Sequence, residues 1–124
     1  MTWDAGLTDE QKRAASHYGK HARLLAGPGT GKTLSMTRRV LYLMQEKHVA
    51  PPSILALTFT RHAAAELRSR VKKELPEGAV VPSIATLHSF ALKTLLESHV
   101  GSRIPKPIRI ADDYEERWII EEDL

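Results

Sequence analysis

Cysteine is absent from the 124 residues. Its absence excludes disulfides, a thiolate nucleophile and cysteine-based zinc or iron–sulfur sites, and fits a reducing compartment such as the cytoplasm. No apolar run approaches the ~20 residues that a membrane span needs. The opening Met1-Thr2-Trp3-Asp4 lacks the basic and then apolar regions of a secretory signal. Internal repeats and low-complexity stretches are lacking too. The six histidines, at 17, 21, 48, 62, 88 and 99, show no metal-ligand spacing. The expectation is one cytoplasmic domain with a modest core and no membrane partner.

Charge is present but unevenly placed. The net charge is +3. Residues 112–124 hold Asp112, Asp113, Glu115, Glu116, Glu121, Glu122 and Asp123 against a single Arg117. Residues 1–111 therefore carry 17 basic and 8 acidic side chains, a balance of +9. A basic body suits a polyanion such as a nucleotide or nucleic acid, although many solvated helix faces look the same.

Helix and strand patterns alternate along the chain. Thr8 can cap a helix running to about Tyr18, stopped by Gly19. The apolar run 21–26 (HARLLA) reads as a buried strand. A helix is expected over 31–47, with Met36, Val40, Leu43 and Met44 on one face and Pro51 and Pro52 beyond it. Residues 54–60 (ILALTFT) read as a strand, 62–75 as a helix, 84–87 as a strand and 89–98 as a helix. Residues 108–111 suggest a short strand, and Asp112 with Glu115 forms a capping pattern for a last helix. Such alternation implies an α/β fold with a parallel sheet whose strands are buried on both faces. Ligands in such sheets bind beyond the carboxyl ends of the strands.

The strongest motif is Ala26-Gly27-Pro28-Gly29-Thr30-Gly31-Lys32-Thr33. It follows an expected strand and opens an expected helix. Its glycines let backbone N–H groups turn inward toward phosphate oxygens, and the helix N-terminus adds partial positive charge. Lys32 can reach the β- and γ-phosphates, and the Thr33 hydroxyl can hold Mg²⁺. The full pattern begins with Gly, and Ala26 stands there instead. A Gly-rich turn that merely caps a helix is the bland alternative. The motif names a nucleoside triphosphate but not the reaction.

Two further segments carry chemistry. Gln11, within Leu7-Thr8-Asp9-Glu10-Gln11, has a side-chain amide that both donates and accepts, as the edge of adenine requires. Thr8-x-x-Gln11 is equally a capping box. Phe59 lies at a strand end and is flanked by Thr58, Thr60 and Arg61. An aromatic there can stack on a base while hydroxyls and a guanidinium hold phosphates, or it can belong to the core. Ala63, Ala64, Leu67, Val71 and Leu75 form an apolar stripe, and Arg68, Arg70, Lys72 and Lys73 read as a solvated face.

In order and spacing, the Gln11 segment, the phosphate loop, the stretch from Ala56 to Leu67 and Thr86-Leu87-His88-Ser89-Phe90 resemble the UvrD/Rep/PcrA DNA helicases of superfamily 1. The resemblance implies a P-loop NTPase (RecA-like) parallel sheet flanked by helices, here an incomplete first motor domain over residues 1–111. Residues 112–124 would begin an inserted helical subdomain. It implies ATP and Mg²⁺ as cofactors, with Gln11 and residues 26–33 binding the nucleotide and Lys32 and Thr33 serving catalysis. It implies single-stranded DNA as partner, held by Thr58, Phe59, Thr60, Arg61, His88 and Ser89, with translocation from 3′ to 5′. One departure stands out: the family places Arg directly after the phosphate-loop Thr, near the adenine, where this chain has Leu34. Either the base is held differently or nucleotide affinity is weaker.

Hydrolysis also needs a carboxylate for Mg²⁺ and water, and an arginine for the γ-phosphate. The family's Asp-Glu-x-Gln-Asp motif does not occur in this sequence. Asp112-Asp113 and Glu121-Glu122-Asp123 read as helix cap and tail. The chain stops inside an expected helix, so the second motor domain is expected in a longer protein. The 124 residues alone would bind nucleotide weakly and unwind nothing. Rival readings are a small-molecule kinase, a free-standing ATP-responsive DNA-binding module and a helicase–nuclease relative.

Overall fold

Three of the four described α-helices begin at a threonine whose hydroxyl caps the first turn. In helix α1 (Asp9–Ser16) the Thr8 hydroxyl accepts from the Gln11 backbone N–H. In α3 (Arg61–Glu74) the Thr60 hydroxyl accepts from Ala63 N–H at 3.1 Å. In α4 (Leu87–Glu97) the Thr86 hydroxyl accepts from Ser89 N–H at 3.1 Å. Such caps satisfy N–H groups that have no partner within the helix. The remaining helix, α2 (Lys32–Gln45), starts at Gly31, and among the described residues no side chain caps it.

A computed structural model describes residues 2–27, 31–98 and 103. The chain divides into two compact units, residues 1–90 and 91–124. The first holds α1, α2, α3, both strands and the first turn of α4. In the second, residues 91–98 continue α4. The strand expected over 108–111 and the helix expected from Asp112 lie outside the described residues.

Strands β1 (Leu55–Thr58) and β2 (Ser83–Thr86) pair in parallel, with Leu55 opposite Ser83 and Thr58 opposite Thr86. Helix α3 makes the crossover and packs on both strands and on α2, while α1 packs on α2. The result is a mixed α/β unit with a small parallel sheet. Its core joins Val40 of α2, Ile54 just before β1, Ala64, Leu67 and Val71 of α3, and Ile84 of β2. Arg68 of α3 donates to the Ile84 carbonyl. Arg38 of α2 faces Glu74 of α3 at 3.4 Å in a largely buried ion pair.

Most expected elements form, and the differences have physical causes. The apolar run 21–26 is not a strand: residues 21–27 have no regular structure, and Leu24 and Leu25 are 54% and 78% exposed. A strand needs a ladder to satisfy its backbone, and β1 and β2 pair only with each other among the described residues. Neither strand is buried on both faces, since Leu55 and Ser83 are exposed. Met36 is exposed, while Val40, Leu43 and Met44 pack into the core as expected. Helix α2 ends before the two prolines because His48 takes a left-handed backbone, φ 53. Val49 N–H then donates back to the Leu43 carbonyl at 2.9 Å, which closes the helix end. In the α3 stripe Ala64, Leu67 and Val71 are buried and Ala63 and Leu75 half-buried; Arg70, Lys72 and Lys73 are exposed as read, whereas Arg68, though exposed, is tied to the Ile84 carbonyl.

Candidate functional site

The start of α2 is where the phosphate motif lies. Pro28, Gly29 and Thr30 lie outside the described residues, and Ala26 and Gly27 precede them in irregular chain. Gly31 is left-handed, φ 78 and ψ 31, and Lys32 opens the helix with no acidic residue in its first turn. Lys32 is exposed and Thr33 half-buried. The Thr33 carbonyl is taken by the Thr37 hydroxyl at 2.8 Å. Amide N–H groups, helix dipole and an exposed ammonium thus gather at one end of a 14-residue helix.

Gln11 meets this start from α1. Its Oε1 accepts from Thr8 N–H at 3.0 Å, which completes the capping box. Its Nε2 lies against Gly31, where a Cβ would sit 2.7 Å away. The capping role and the place beside the phosphate motif therefore hold together. Gly31 is constrained twice, by its backbone angle and by this amide. Gly31→Ala should destabilise the unit by ~1–2 kcal/mol from left-handed strain alone and should displace the Gln11 amide. Urea unfolding and the Gln11 side-chain NH₂ resonances check both. A variant as stable as the parent with an unmoved resonance would remove the constraint.

Leu34 is half-buried. The two arginines further along α2 are engaged elsewhere. Arg38 donates to the Thr2 carbonyl at 2.8 Å and faces Glu74. Arg39 Nη1 meets the carbonyls of Ala14, Ala15 and His17 at the end of α1, at 3.4, 3.4 and 2.6 Å. A cavity of 670 Å³ lies between α1, the first turns of α2 and residues 20–24. Arg13, Lys20, Arg23 and Arg39 line it, with Glu10 as the acid; Gln11, Lys32 and Thr33 do not. By sequence Arg38 and Arg39 are not obvious substitutes for the arginine that Leu34 replaces, and the partners of Arg39 lie 22 to 25 residues away, where no local pattern marks them.

The parallel pairing brings the second group of candidates together. Thr58 and Thr86 are in register, so Phe59-Thr60-Arg61 and Leu87-His88-Ser89 leave the same sheet edge. Phe59 is 87% exposed, so it is not a core side chain. Arg61 and His88 are exposed too. Thr58 donates to the Thr60 carbonyl at 3.1 Å, and Thr60 caps α3, so both hydroxyls serve the turn. Ser89 Oγ accepts from the Thr86 hydroxyl at 2.8 Å, which fixes Ser89 at the head of α4. Thr86 is a further positioning residue here, findable as the third residue before Ser89 in a capping pattern. Among the described residues, no group of three or more His, Asp or Glu side chains could hold a metal ion. No described helix is long and apolar enough to cross a membrane.

Residues 7–124 match the UvrD/REP helicase N-terminal domain, and the chain belongs to that family. It is 45% identical over 91 residues to the ATP-dependent DNA helicase PcrA of Bacillus subtilis, an alignment covering 73% of this chain and 12% of that protein. It is 42% identical over 90 residues to the ATP-dependent DNA helicase UvrD1 of Mycobacterium tuberculosis, again covering 73% and 12%. Against PcrA of Staphylococcus aureus the identity is 33% over 118 residues, 95% of this chain and 16% of that protein. The chain therefore spans only about an eighth of the length of the first two relatives.

Proposed function

We propose that this chain is the ATP-binding front part of an ATP-dependent DNA helicase or translocase that moves 3′ to 5′. Residues 1–111 would form an incomplete P-loop, RecA-like first motor domain, and residues 112–124 would begin an inserted helical subdomain. The observation that carries this reading is the start of α2: among the described residues no side chain caps it, although α1, α3 and α4 each receive a threonine hydroxyl. Its N–H groups and the exposed Lys32 suit a triphosphate. The names of the relatives, each an ATP-dependent DNA helicase, agree with it.

In this reading Lys32 holds the β- and γ-phosphates, residues 26–31 wrap them, and Gln11 reads adenine. Thr33 would be a ligand of Mg²⁺, which when bound neutralises phosphate charge and orients the γ-phosphate. Neutral hydroxyl and amide donors beside one ammonium fit a magnesium–nucleotide complex better than a bare cation. The carboxylate and arginine that hydrolysis needs would come from elsewhere in a longer protein, with a second motor domain, so the 124 residues should bind nucleotide weakly and turn over none. Single-stranded DNA would cross the sheet edge, with a base stacked on Phe59 and the backbone held by Arg61, His88 and Ser89.

Phe59→Ala tests the DNA half. Stacking contributes ~1–3 kcal/mol per base, so affinity for a labelled oligothymidylate, read by fluorescence anisotropy, should fall roughly 5- to 150-fold. Stability should not change, because Phe59 buries almost nothing. An unchanged anisotropy titration would take DNA away from this edge.

A further inference from the structure

We propose that Arg39 is a positioning residue that sets where Gln11 meets the head of α2; this rests on reading that head as the triphosphate site. Helix α1 has eight residues, short enough to have little stability of its own. Its last carbonyls have no partners within the helix. Arg39 Nη1 lies within hydrogen-bonding distance of three of them, on Ala14, Ala15 and His17. A cation there also opposes the negative end of the helix dipole. At the other end of α1, Gln11 sits against Gly31. One arginine, eight residues along α2 from Gly31, thus pins the far end of the short helix whose near end carries the amide.

The arrangement has a directional consequence. With Arg39 in place, α1 is held along α2 at both ends, and Ala15 between them is fully buried. Without it, the C-terminal carbonyls face the cavity that Arg39 lines, and α1 can pivot about its Thr8 cap. Lys32 is carried by the first turn of α2 itself, which Ser35 N–H closes by donating to the Gly31 carbonyl at 3.0 Å. Loss of Arg39 should therefore blunt recognition of the base and spare the hold on phosphates. Lysine has one compact ammonium in place of a planar fork, so it restores this only in part.

The test compares Mg·ATP with Mg·tripolyphosphate, which has the phosphates and no base, on the folded 124-residue chain. Arg39→Met should weaken ATP about tenfold, while tripolyphosphate stays within about twofold. Gln11→Ala, added to Arg39→Met, should cause less than about a twofold further loss, because the two act as one unit. Arg39→Lys should fall between parent and Arg39→Met, and it supplies the same comparison if circular dichroism shows the methionine variant unfolded. Equal loss of both ligands, no loss of either, or full additivity with Gln11→Ala would overturn the positioning role alone. A parent that binds neither ligand would overturn the triphosphate site and this proposal with it.

Discussion

Lys32→Ala should lose both ATP and inorganic tripolyphosphate. The ammonium stands at the first position of α2, exposed, with no acidic side chain in that turn to compete for it. Hydrogen bonds to charged groups contribute ~1.5–3 kcal/mol, so removing the donor should weaken binding roughly 10- to 150-fold. The fold should not suffer. An exposed side chain away from special features changes stability by no more than about 0.5 kcal/mol, and a cation at a helix N-terminus opposes the dipole in any case. Parent and variant should then melt together and differ only in calorimetric titration. Lys32→Arg should recover part of the loss, since it returns the charge in a geometry that suits a point contact less well. Equal ATP affinity in Lys32→Ala and parent would refute the phosphate role.

Local chemistry made much of this unit legible. Thr8 and Gln11 are three residues apart, and the capping box forms between them. Gly31 before Lys32 marks the start of α2 because only glycine takes that left-handed angle at little cost. Ala64, Leu67 and Val71 fall on one face because the helical period puts them there. What depended on distant partners was not legible. Residues 21–26 have the apolar content of a strand, yet a strand is defined by its neighbour, and none of the described residues supplies one. Strand β2 and helix α4 begin before residues 84 and 89, since the ladder sets Ser83 opposite Leu55 and Thr86 caps the helix. No local pattern marks Arg39, and only the return of α1 beside α2 reveals its three carbonyl partners. The same holds for the DNA-side residues. Phe59 and His88 lie 29 residues apart in sequence, and it is the parallel register of Thr58 with Thr86 that puts their loops at one edge.

That register depends on α3, and the second large effect is expected there. Leu67 is 2% exposed and sits in the core with Val40, Ile54, Ala64, Val71 and Ile84, so it joins α2, α3 and the strands. Leu67→Ala should cost ~2–5 kcal/mol, the lost transfer energy plus the cavity left behind. Small domains have ~5–15 kcal/mol in total, and this core is small, so the loss is a large share. With a urea slope of ~1–3 kcal/mol per molar, the unfolding midpoint should drop by roughly 1–3 M. Lys72→Ala, on the exposed side of the same helix, should move it by less than about 0.5 M, which separates core packing from helix propensity. Nucleotide and oligothymidylate binding should fall together in Leu67→Ala, and an osmolyte that favours burial should restore both. If Leu67→Ala unfolded at the parent's urea concentration, the packing of α3 on the strands would not be what holds Phe59 and His88 at one edge.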